Sequence, residues 1–303
     1  MKRWFASPSA PLRLLGLLLL AACGADFEPG SRVHDVRLLA LRADPPFARP
    51  GERVELELLF ANPQQRALSW AKGTCTQPPA STLDACLSAL DGPLEPFDPE
   101  EAGALGVDVP EDALDGLADG ERPSALIGVV VVACPGELAG GETAGVPIAC
   151  RDERGRALPI GELPVGIKRV FVRERDRNAQ PRITRVLFDG EEWPEDEPRR
   201  VASCAGDGYE IDDCPQATRH ALSVQTEPAE RGRDELGGEY REQIVVQFYA
   251  SHGVFGSEVR IAGEADNAFA LQAGPEDASA TLWLVARDDR GGVDWAVRTV
   301  QLP

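Results

Sequence analysis

Basic residues are scarce in this sequence of 303 residues, in which 31 Lys and Arg are outnumbered by 50 Asp and Glu and the net charge is −19. A chain of this kind lacks the basic patches that nucleic acids and anionic lipid surfaces attract, so we expect no nucleic-acid partner. Histidine is scarcer still, with three residues, and no CxxC spacing occurs. A zinc site is therefore not expected.

The chain also lacks the short motifs of common enzymes. It contains no GxSxG, HExxH, P-loop or GxGxxG sequence. A hydrolase built from scattered acidic residues stays open as an alternative, because the two carboxylates of a glycosidase need no local motif. The prediction is nonetheless that the protein is not an enzyme.

Long hydrophobic runs are rare as well. Residues 14–22 form an apolar stretch behind the positively charged Lys2, Arg3 and Arg13. This stretch is far shorter than the roughly 20 residues of a membrane-spanning helix, but it has the length and the flanks of the apolar region of a secretory signal peptide. We therefore predict an export signal over residues 1–22.

The end of this segment, Leu20-Ala21-Ala22-Cys23, resembles the lipobox of bacterial lipoproteins. The resemblance implies a diacylglyceryl group on the Cys23 thiol, cleavage before Cys23 and acylation of the new amine, so that several acyl chains would hold the protein on a membrane. Cleavage would take the net charge to −22, because the segment holds three positive and no negative charges. The alternative is an ordinary signal peptide cut near Ala22, with Cys23 a free thiol or a disulfide partner.

The residues after the lipobox bear on the location of the protein. Gly24, and not Asp, follows the cysteine, which in enteric-type sorting points to the outer membrane. We expect residues 23–32 to form a lipidated polar tether. The predicted location is the cell envelope, on the periplasmic face or the cell surface of the outer membrane.

Seven cysteines leave an even number once Cys23 is set aside. In an exported protein the remaining six predict three disulfides. Six cysteines allow 15 connectivities, and the sequence alone does not choose among them. Local pairs are favoured, because each would close a loop of roughly 10 to 20 residues, worth about 3 kcal/mol in the chain-entropy model. These pairs are Cys75 with Cys86, Cys134 with Cys150, and Cys204 with Cys214.

Alternating apolar and polar residues predict β-strands along most of the chain. Residues 54–61 alternate with period two, which predicts a strand with one buried face. Residues 125–134 are apolar on both faces and fit a central strand, and residues 280–302 predict a hairpin around the sequence DDRGG. Many short strands with Gly and Pro turns predict an all-β protein with two tandem sandwiches, over residues 33–178 and 179–303.

The first predicted domain contains an insertion at about residues 75–123, rich in Pro, Asp, Glu and Ala. Residues 81–90 and 110–120 have capping residues and helical spacing, so the insertion is predicted to be partly helical or irregular. Residues 175–183 are predicted to link the two domains.

Three stretches resemble bacterial immunoglobulin-like or PKD-like domains. LRADPPFARPGERVELELLFANP resembles their opening strands, ALSWAKGTC places Trp70 where their strand C holds a core tryptophan, and VARDDRGGVDWAVRTVQL resembles their last hairpin. More generally, the chain resembles a group of predicted surface lipoproteins of GC-rich Gram-negative bacteria. The resemblance implies two Ig-like β-sandwiches.

Acidic residues around the final turn are a candidate calcium site. Asp288, Asp289 and Asp294 offer the hard oxygen ligands that calcium prefers. More often, Asp in such a turn caps backbone N–H groups. The acidic loop 204–214 does not have the spacing of an EF-hand and is expected to be solvated. No metal or cofactor is predicted apart from the lipid on Cys23.

Two further residues have alternative interpretations. Trp193 lies in the acidic stretch 189–198, where it could form a recognition surface. The other interpretation is that Trp193 packs against the edge of the sandwich. His252, near Phe255, could suggest catalysis, but a lone histidine in a turn at a strand end is usually structural.

These features together predict an exported, lipid-anchored lipoprotein of the cell envelope. Its expected role is non-enzymatic, either binding or structural, with an envelope protein as partner and the membrane contacted through the lipid. The alternatives are a surface module that binds glycan or calcium, and an envelope hydrolase.

Overall fold

The first part of the chain folds into a β-sandwich. The computed structural model describes residues 28–77, 90, 92–101, 103–115, 124–140, 148–159, 162–175, 177–206, 208–234, 237–272 and 279–303. The strands of the first sandwich are β1 (Arg37–Asp44), β2 (Phe47–Ala48), β3 (Arg53–Ala61), β4 (Ser69–Gln77), β5 (Glu95–Phe97), β6 (Val107–Asp108), β7 (Ser124–Cys134), β8 (Gly136–Gly140), β9 (Ile148–Asp152), β10 (Ala157–Leu158) and β11 (Val165–Arg173). A sheet of order β1-β3-β6 faces a sheet of order β2-β11-β7-β4-β5, and a small sheet, β10-β9-β8, lies beside them.

Burial in the first sandwich follows the sequence pattern. β7 lies between β11 and β4, and its side chains are buried along its whole length, so the predicted central strand is confirmed. β3 alternates between exposed and buried residues from Arg53 to Glu57, as its period of two predicts. Trp70 of β4 lies in the core, edge-to-face with Phe60 at a centroid distance of 4.9 Å.

The predicted insertion contributes strands β5 and β6, which extend the two facing sheets at an edge. The helix predicted over residues 81–90 lies outside the described residues, apart from Leu90. The helix predicted over 110–120 is not formed in its described part, where the N–H groups of Ala113 and Asp115 donate to carbonyls three residues back in isolated turns. Ala113 and Leu114 pack against the core of the first sandwich. The apolar residues whose spacing predicted a helix are therefore buried by turns instead.

The second part of the chain is also a sandwich. Its strands are β12 (Ile183–Phe188), β13 (Glu191–Glu192), β14 (Arg199–Arg200), β15 (His220–Thr226), β16 (Arg231–Arg233), β17 (Glu239–Arg241), β18 (Val245–Ala250), β19 (Val254–Phe255), β20 (Val259–Ile261), β21 (Asp266–Ala270), β22 (Ser279–Arg287) and β23 (Val293–Gln301), with 3₁₀ turns at Ile211–Asp213 and Gln216–Thr218. A sheet of order β13-β12-β15-β21-β19 faces a sheet of order β14-β23-β22-β18-β20, and β16 pairs with β17. The predicted all-β class with two Ig-like sandwiches is therefore confirmed.

The second sandwich contains two tight hairpins, of which the one around DDRGG is the predicted hairpin. β22 and β23 pair in antiparallel register over nine residues each, around the DDRGG turn. β12 and β13 are joined by Asp189 and Gly190, with φ of 51° and 82°. Two successive residues with positive φ give the tight turn that suits the twist of a hairpin, which is why Asp-Gly is a strong hairpin signal.

Disulfides brace both sandwiches. The described residues contain two of the predicted local pairs, Cys134–Cys150 and Cys204–Cys214, with Cα separations of 5.7 and 5.4 Å. Cys75 is also disulfide-bonded, while its predicted partner, Cys86, lies outside the described residues. The local pairing is thus confirmed for two bridges.

A second apolar cluster joins the two sandwiches. It forms where the outer surface of β1 and β3 meets the outer surface of β22 and β23. In β3, Leu59 and Ala61 follow Glu55 and Glu57 on the outward face, but they are buried because the second sandwich covers them. We call this cluster the junction core; its buried members are Val33, Leu39, Ala40, Leu59, Ala61, Trp283, Val285 and Val293.

Polar contacts flank the junction core. Arg42 of β1 forms an ion pair with Asp294 of β23 at 2.8 Å. Gln180, within the predicted linker, donates to the carbonyl of Ala43 and accepts the N–H of Val293 at 2.9 Å. The linker is therefore packed between the two sandwiches and contacts both.

The start of the described chain is held by the second sandwich. Arg32 forms a parallel bridge with Ala250 at the end of β18. The N–H of Val33 donates to the carbonyl of Ala250, and the N–H of Ala250 donates to the carbonyl of Ser31, both at 2.9 Å. The tether predicted over residues 23–32 therefore ends earlier than predicted, because the end of β18 offers backbone groups that Ser31 and Arg32 can pair with.

Residues 1–27, with the predicted signal peptide and Cys23, lie outside the described residues. Within the part of the chain that the structure describes, no helix is long and apolar enough to cross a membrane.

The junction core makes a testable prediction about coupling between the sandwiches. Leu59→Ala alone should lower the free energy of unfolding by about 2–5 kcal/mol. Combined with Trp283→Ala, on the opposite side of the junction core, it should be non-additive by at least about 0.5 kcal/mol, because neighbours in one cluster share a cavity. Urea unfolding of the four proteins of this double-mutant cycle measures the coupling.

Trp193→Ala is the matched control for this cycle. Trp193 is also buried but belongs to the internal core of the second sandwich. Its effect should add to that of Leu59→Ala within about 0.5 kcal/mol. If the effects of Leu59→Ala and Trp283→Ala were also additive, the result would contradict the coupling of the two sandwiches through the junction core.

Candidate functional site: a cationic cleft between the sandwiches

A cleft of about 540 Å³ opens beside the junction core. Its walls are β1, β11 and the turn between β22 and β23. The register of β1 against β3 shifts between Leu38 and Ala40, so Leu39 is the extra residue of a β-bulge. Bulges redirect side chains and carbonyls, and they are frequent next to functional sites. The cleft is therefore built from both sandwiches and cannot form in either alone.

Lys168 of β11 projects into this region. Lys168 lies on the same face of β11 as Val170 and Val172, which point inward, and it is 7% exposed. Its ammonium group donates a hydrogen bond to the carbonyl of Gly291, in the turn of the second sandwich. Burial, together with the nearby Arg287 guanidinium, lowers the pKa of Lys168 to about 8, and Asp288 opposes this only in part. Lys168 is thus a buried cation in an environment that disfavours its charge.

Arg287, the last residue of β22, is the second cation of the cleft and is half-buried. Its Nε donates to the side-chain oxygen of Gln247 at 2.7 Å, and its Nη2 donates to the carbonyl of Leu39 in the β-bulge. Burial lowers the pKa of Arg287. All these acceptors are neutral, so Arg287, like Lys168, lacks a carboxylate within 4.0 Å among the described residues.

A third cation, Arg290, closes the turn side of the site. Its guanidinium lies over the rings of Tyr240 and Phe47, at 4.0 and 5.0 Å from their centroids, and so contacts both sandwiches. Its Nη1 is 3.6 Å from Oε1 of Glu242, whose side chain is 3% exposed. Burial and the neighbouring Asp288 carboxylate raise the pKa of Glu242 to about 7. Glu242 therefore partly neutralises the charge of Arg290, but not that of Lys168 or Arg287.

The candidate calcium residues contact the chain itself. Asp288 Oδ1 accepts the N–H groups of Arg290 and Gly292 at 2.8 and 2.7 Å, so the interpretation of Asp288 as a backbone cap is confirmed. Asp289 accepts the N–H of Gln243 at 3.2 Å, and Asp294 contacts Arg42 and the N–H of Ile183. No group of three metal-ligating side chains forms among the described residues.

The acidic loop 204–214 is also tied internally. Asp212 pairs with Arg219 at 2.7 Å, and Asp213 Oδ2 accepts the N–H of Glu210 at 3.1 Å. Asp207 lies outside the described residues. The carboxylates that are described cap and bridge their own loop.

Trp193 and His252 serve the fold. Trp193 is 1% exposed, packs on Phe188 at 4.8 Å and donates its indole N–H to the carbonyl of Glu197, so the recognition-surface interpretation is wrong. Hydrophobic burial explains this, because the ring completes the internal core. His252 lies within 3.3 Å of the Ser251 hydroxyl and edge-to-face with His34 at 6.4 Å.

The sequence carried a weak signal for the cleft that motif searching misses. Lys168 occupies an inward position of a strand whose other inward residues are apolar. Only two lysines follow residue 22, and this is one of them. Arg287 ends a strand that is apolar on both faces, but nothing in the sequence indicates that it meets Lys168.

No protein-family model and no curated protein matches the chain. Among solved structures, the chain is similar to the D00-D0 domain of intimin, with 9% identity over 86% of this chain and 99% of that chain and a TM-score of 0.20. It is also similar to protocadherin gamma B2 extracellular cadherin domains 3-6, with 15% identity over 90% of this chain and 53% of that chain and a TM-score of 0.21. At these TM-scores the similarities carry no functional argument.

The charge on Lys168 should make the stability of the protein depend on pH. Below about pH 8 the folded and unfolded chains both hold the proton, and the burial penalty is present in full. Between about pH 8 and 10.5 the unfolded chain still holds a proton that the folded chain has released, so stability rises with pH. Lys168→Met should therefore be more stable than the wild type at pH 7, by up to about 3 kcal/mol.

The difference between Lys168→Met and the wild type should narrow as the pH rises from 8 to 10.5, measured by urea unfolding. Lys72→Met is the matched control, because it removes the other lysine that follows residue 22 and a half-buried hydrogen bond to the carbonyl of Ala104. A Lys168→Met protein that is less stable than the wild type at every pH would contradict this account.

Proposed function

We propose that the protein is exported, is anchored to the outer membrane by a lipid on Cys23, and has a non-enzymatic binding or structural role in an envelope or surface assembly. The lipobox-like sequence Leu20-Ala21-Ala22-Cys23 supports the anchor. The short stretch of chain between Cys23 and the folded body supports the role in an assembly. Seven residues lie between Cys23 and Ser31, so the two residues can be at most about 30 Å apart when the chain is extended.

The observation that carries the proposal is the docking of residues 31–33 on β18. Because the chain enters the folded body at the second sandwich, a lipid on Cys23 would hold that sandwich next to the membrane. The junction core joins the first sandwich to it, so both would be presented as one body. A fixed, membrane-proximal body of this kind suits a component of an assembly.

The use of the candidate site residues also supports a non-enzymatic role. Asp288 and Asp294 hold the last hairpin and the junction, and Trp193 fills a core. His220, paired with Asp189 at 2.7 Å, stacks on Phe188 at 4.9 Å, and Asp189 also accepts the N–H of Ala221. These chemically capable groups each contribute to packing or to a turn.

Replacement of Cys23 tests the anchor. Wild-type protein should fractionate with outer membranes, require detergent for release and carry a lipid mass on Cys23 with no free thiol. Cys23→Ser should be released into the soluble envelope fraction with an unchanged melting temperature, because the residue lies outside the docked segment. Gly24→Ser, which keeps the cysteine, is the matched control and should stay with the membrane. A soluble wild-type protein without added mass would contradict the proposal.

The assembly role is tested by crosslinking in cells, using a C-terminal tag and mass spectrometry of the co-purified proteins. A specific envelope protein should be recovered with the wild type and not with Cys23→Ser. If no specific protein were recovered, the assembly role would be contradicted. The lipid anchor is tested separately by the Cys23→Ser variant.

A further inference from the structure

The cleft between the sandwiches contains a buried cation, Lys168, and a half-buried one, Arg287, and no described acidic side chain forms an ion pair with either. Lys168 and Arg287 come from different sandwiches, and the hydrogen bonds that each donates within the described part of the chain go to neutral groups. Among the described residues, neither lies within 4.0 Å of a carboxylate, although other arginines near the junction do form such contacts, as Arg42 does with Asp294. Buried charges in proteins are normally paired, because an unpaired charge removed from water is strongly destabilising.

The charge around the cleft is opposite to that of the chain. Its lining includes four cationic and two acidic residues, whereas the whole chain has a net charge of −19. The carboxylates of Asp288 and Asp289 are turned to backbone N–H groups of the turn and of Gln243. The four cations are Lys168, Arg169, Arg287 and Arg290.

The shape of the cleft is compatible with a small ligand. Its volume of about 540 Å³ falls within the range typical of small-molecule sites. Gly291 lies next to Lys168 in the wall of the cleft and has no side chain, so the backbone of the turn can approach a ligand closely there. Arg287 brings a planar guanidinium and Lys168 a compact ammonium, the two groups that proteins use to bind carboxylate and phosphate oxygens.

We propose that this cleft binds an oxyanion, a carboxylate or phosphate group of a small ligand, between Lys168 of the first sandwich and Arg287 of the second. The anion neutralises both cations and links the two sandwiches from within the cleft. This site goes beyond the proposed anchor and does not depend on it, since both residues lie in the folded body.

The test uses the protein purified after expression of the full-length sequence. Inorganic phosphate and acetate are titrated separately as sodium salts, with sodium chloride at the same ionic strength as the reference, and melting temperature and heat of binding are recorded. At least one of the two anions should give a saturable rise in melting temperature beyond that of chloride. A response to phosphate alone indicates a phosphate-bearing ligand, and a response to acetate alone indicates a carboxylate-bearing one.

Two variants test whether the anion response arises from this cleft. Lys168→Met should weaken anion binding at least about tenfold, because it removes a charge-assisted hydrogen bond. Because this variant is expected to be at least as stable as the wild type, a lost response would not result from misfolding. Lys72→Met should bind as the wild type does. The proposal is overturned if neither anion gives a saturable response, or if Lys168→Met and Lys72→Met respond alike.

Discussion

The packing of β1 and β3 against β22 and β23 is the contact on which the rest of the structure depends. It buries Leu59 and Ala61 on a face of β3 that would otherwise be exposed, and it covers Trp283 and Val285 on the outer face of β22. Burial of apolar surface is the main favourable term in such contacts and has no directional preference. Direction comes from the polar contacts at its edge, above all Arg42 with Asp294 and Gln180 with both sandwiches.

The same contact explains why charge is buried between the sandwiches. Bringing the last hairpin against β1 places Arg287 under the β-bulge and Gly291 over Lys168. Two cations then lie in one low-dielectric region, where their repulsion is stronger than in water. Natural proteins retain such an arrangement at some cost to stability, and functional sites are where costs of this kind concentrate.

The sandwiches could be predicted from the sequence, because their signals are local. A fully apolar run predicted β7, a two-residue period predicted β3, and the DDRGG turn predicted the last hairpin. Contacts between distant segments could not be predicted this way. Leu59 and Trp283 share the junction core, and Lys168 and Arg287 line one cleft, only because of how the two complete sandwiches meet. The short edge strands β5 and β6 are equally non-local, since each exists only because a longer strand offers it hydrogen bonds.

Backbone ¹⁵N relaxation measured on the purified protein tests most directly whether the two sandwiches form one body. The account predicts that amides of the first and second sandwich report the same rotational correlation time, that of a single particle of the whole chain's mass. The amide of Val33 should report the same correlation time, because it donates a hydrogen bond to the carbonyl of Ala250. Two shorter and different correlation times, one for each sandwich, would contradict the account, because the junction core and the cleft beside it could not then be fixed parts of the molecule.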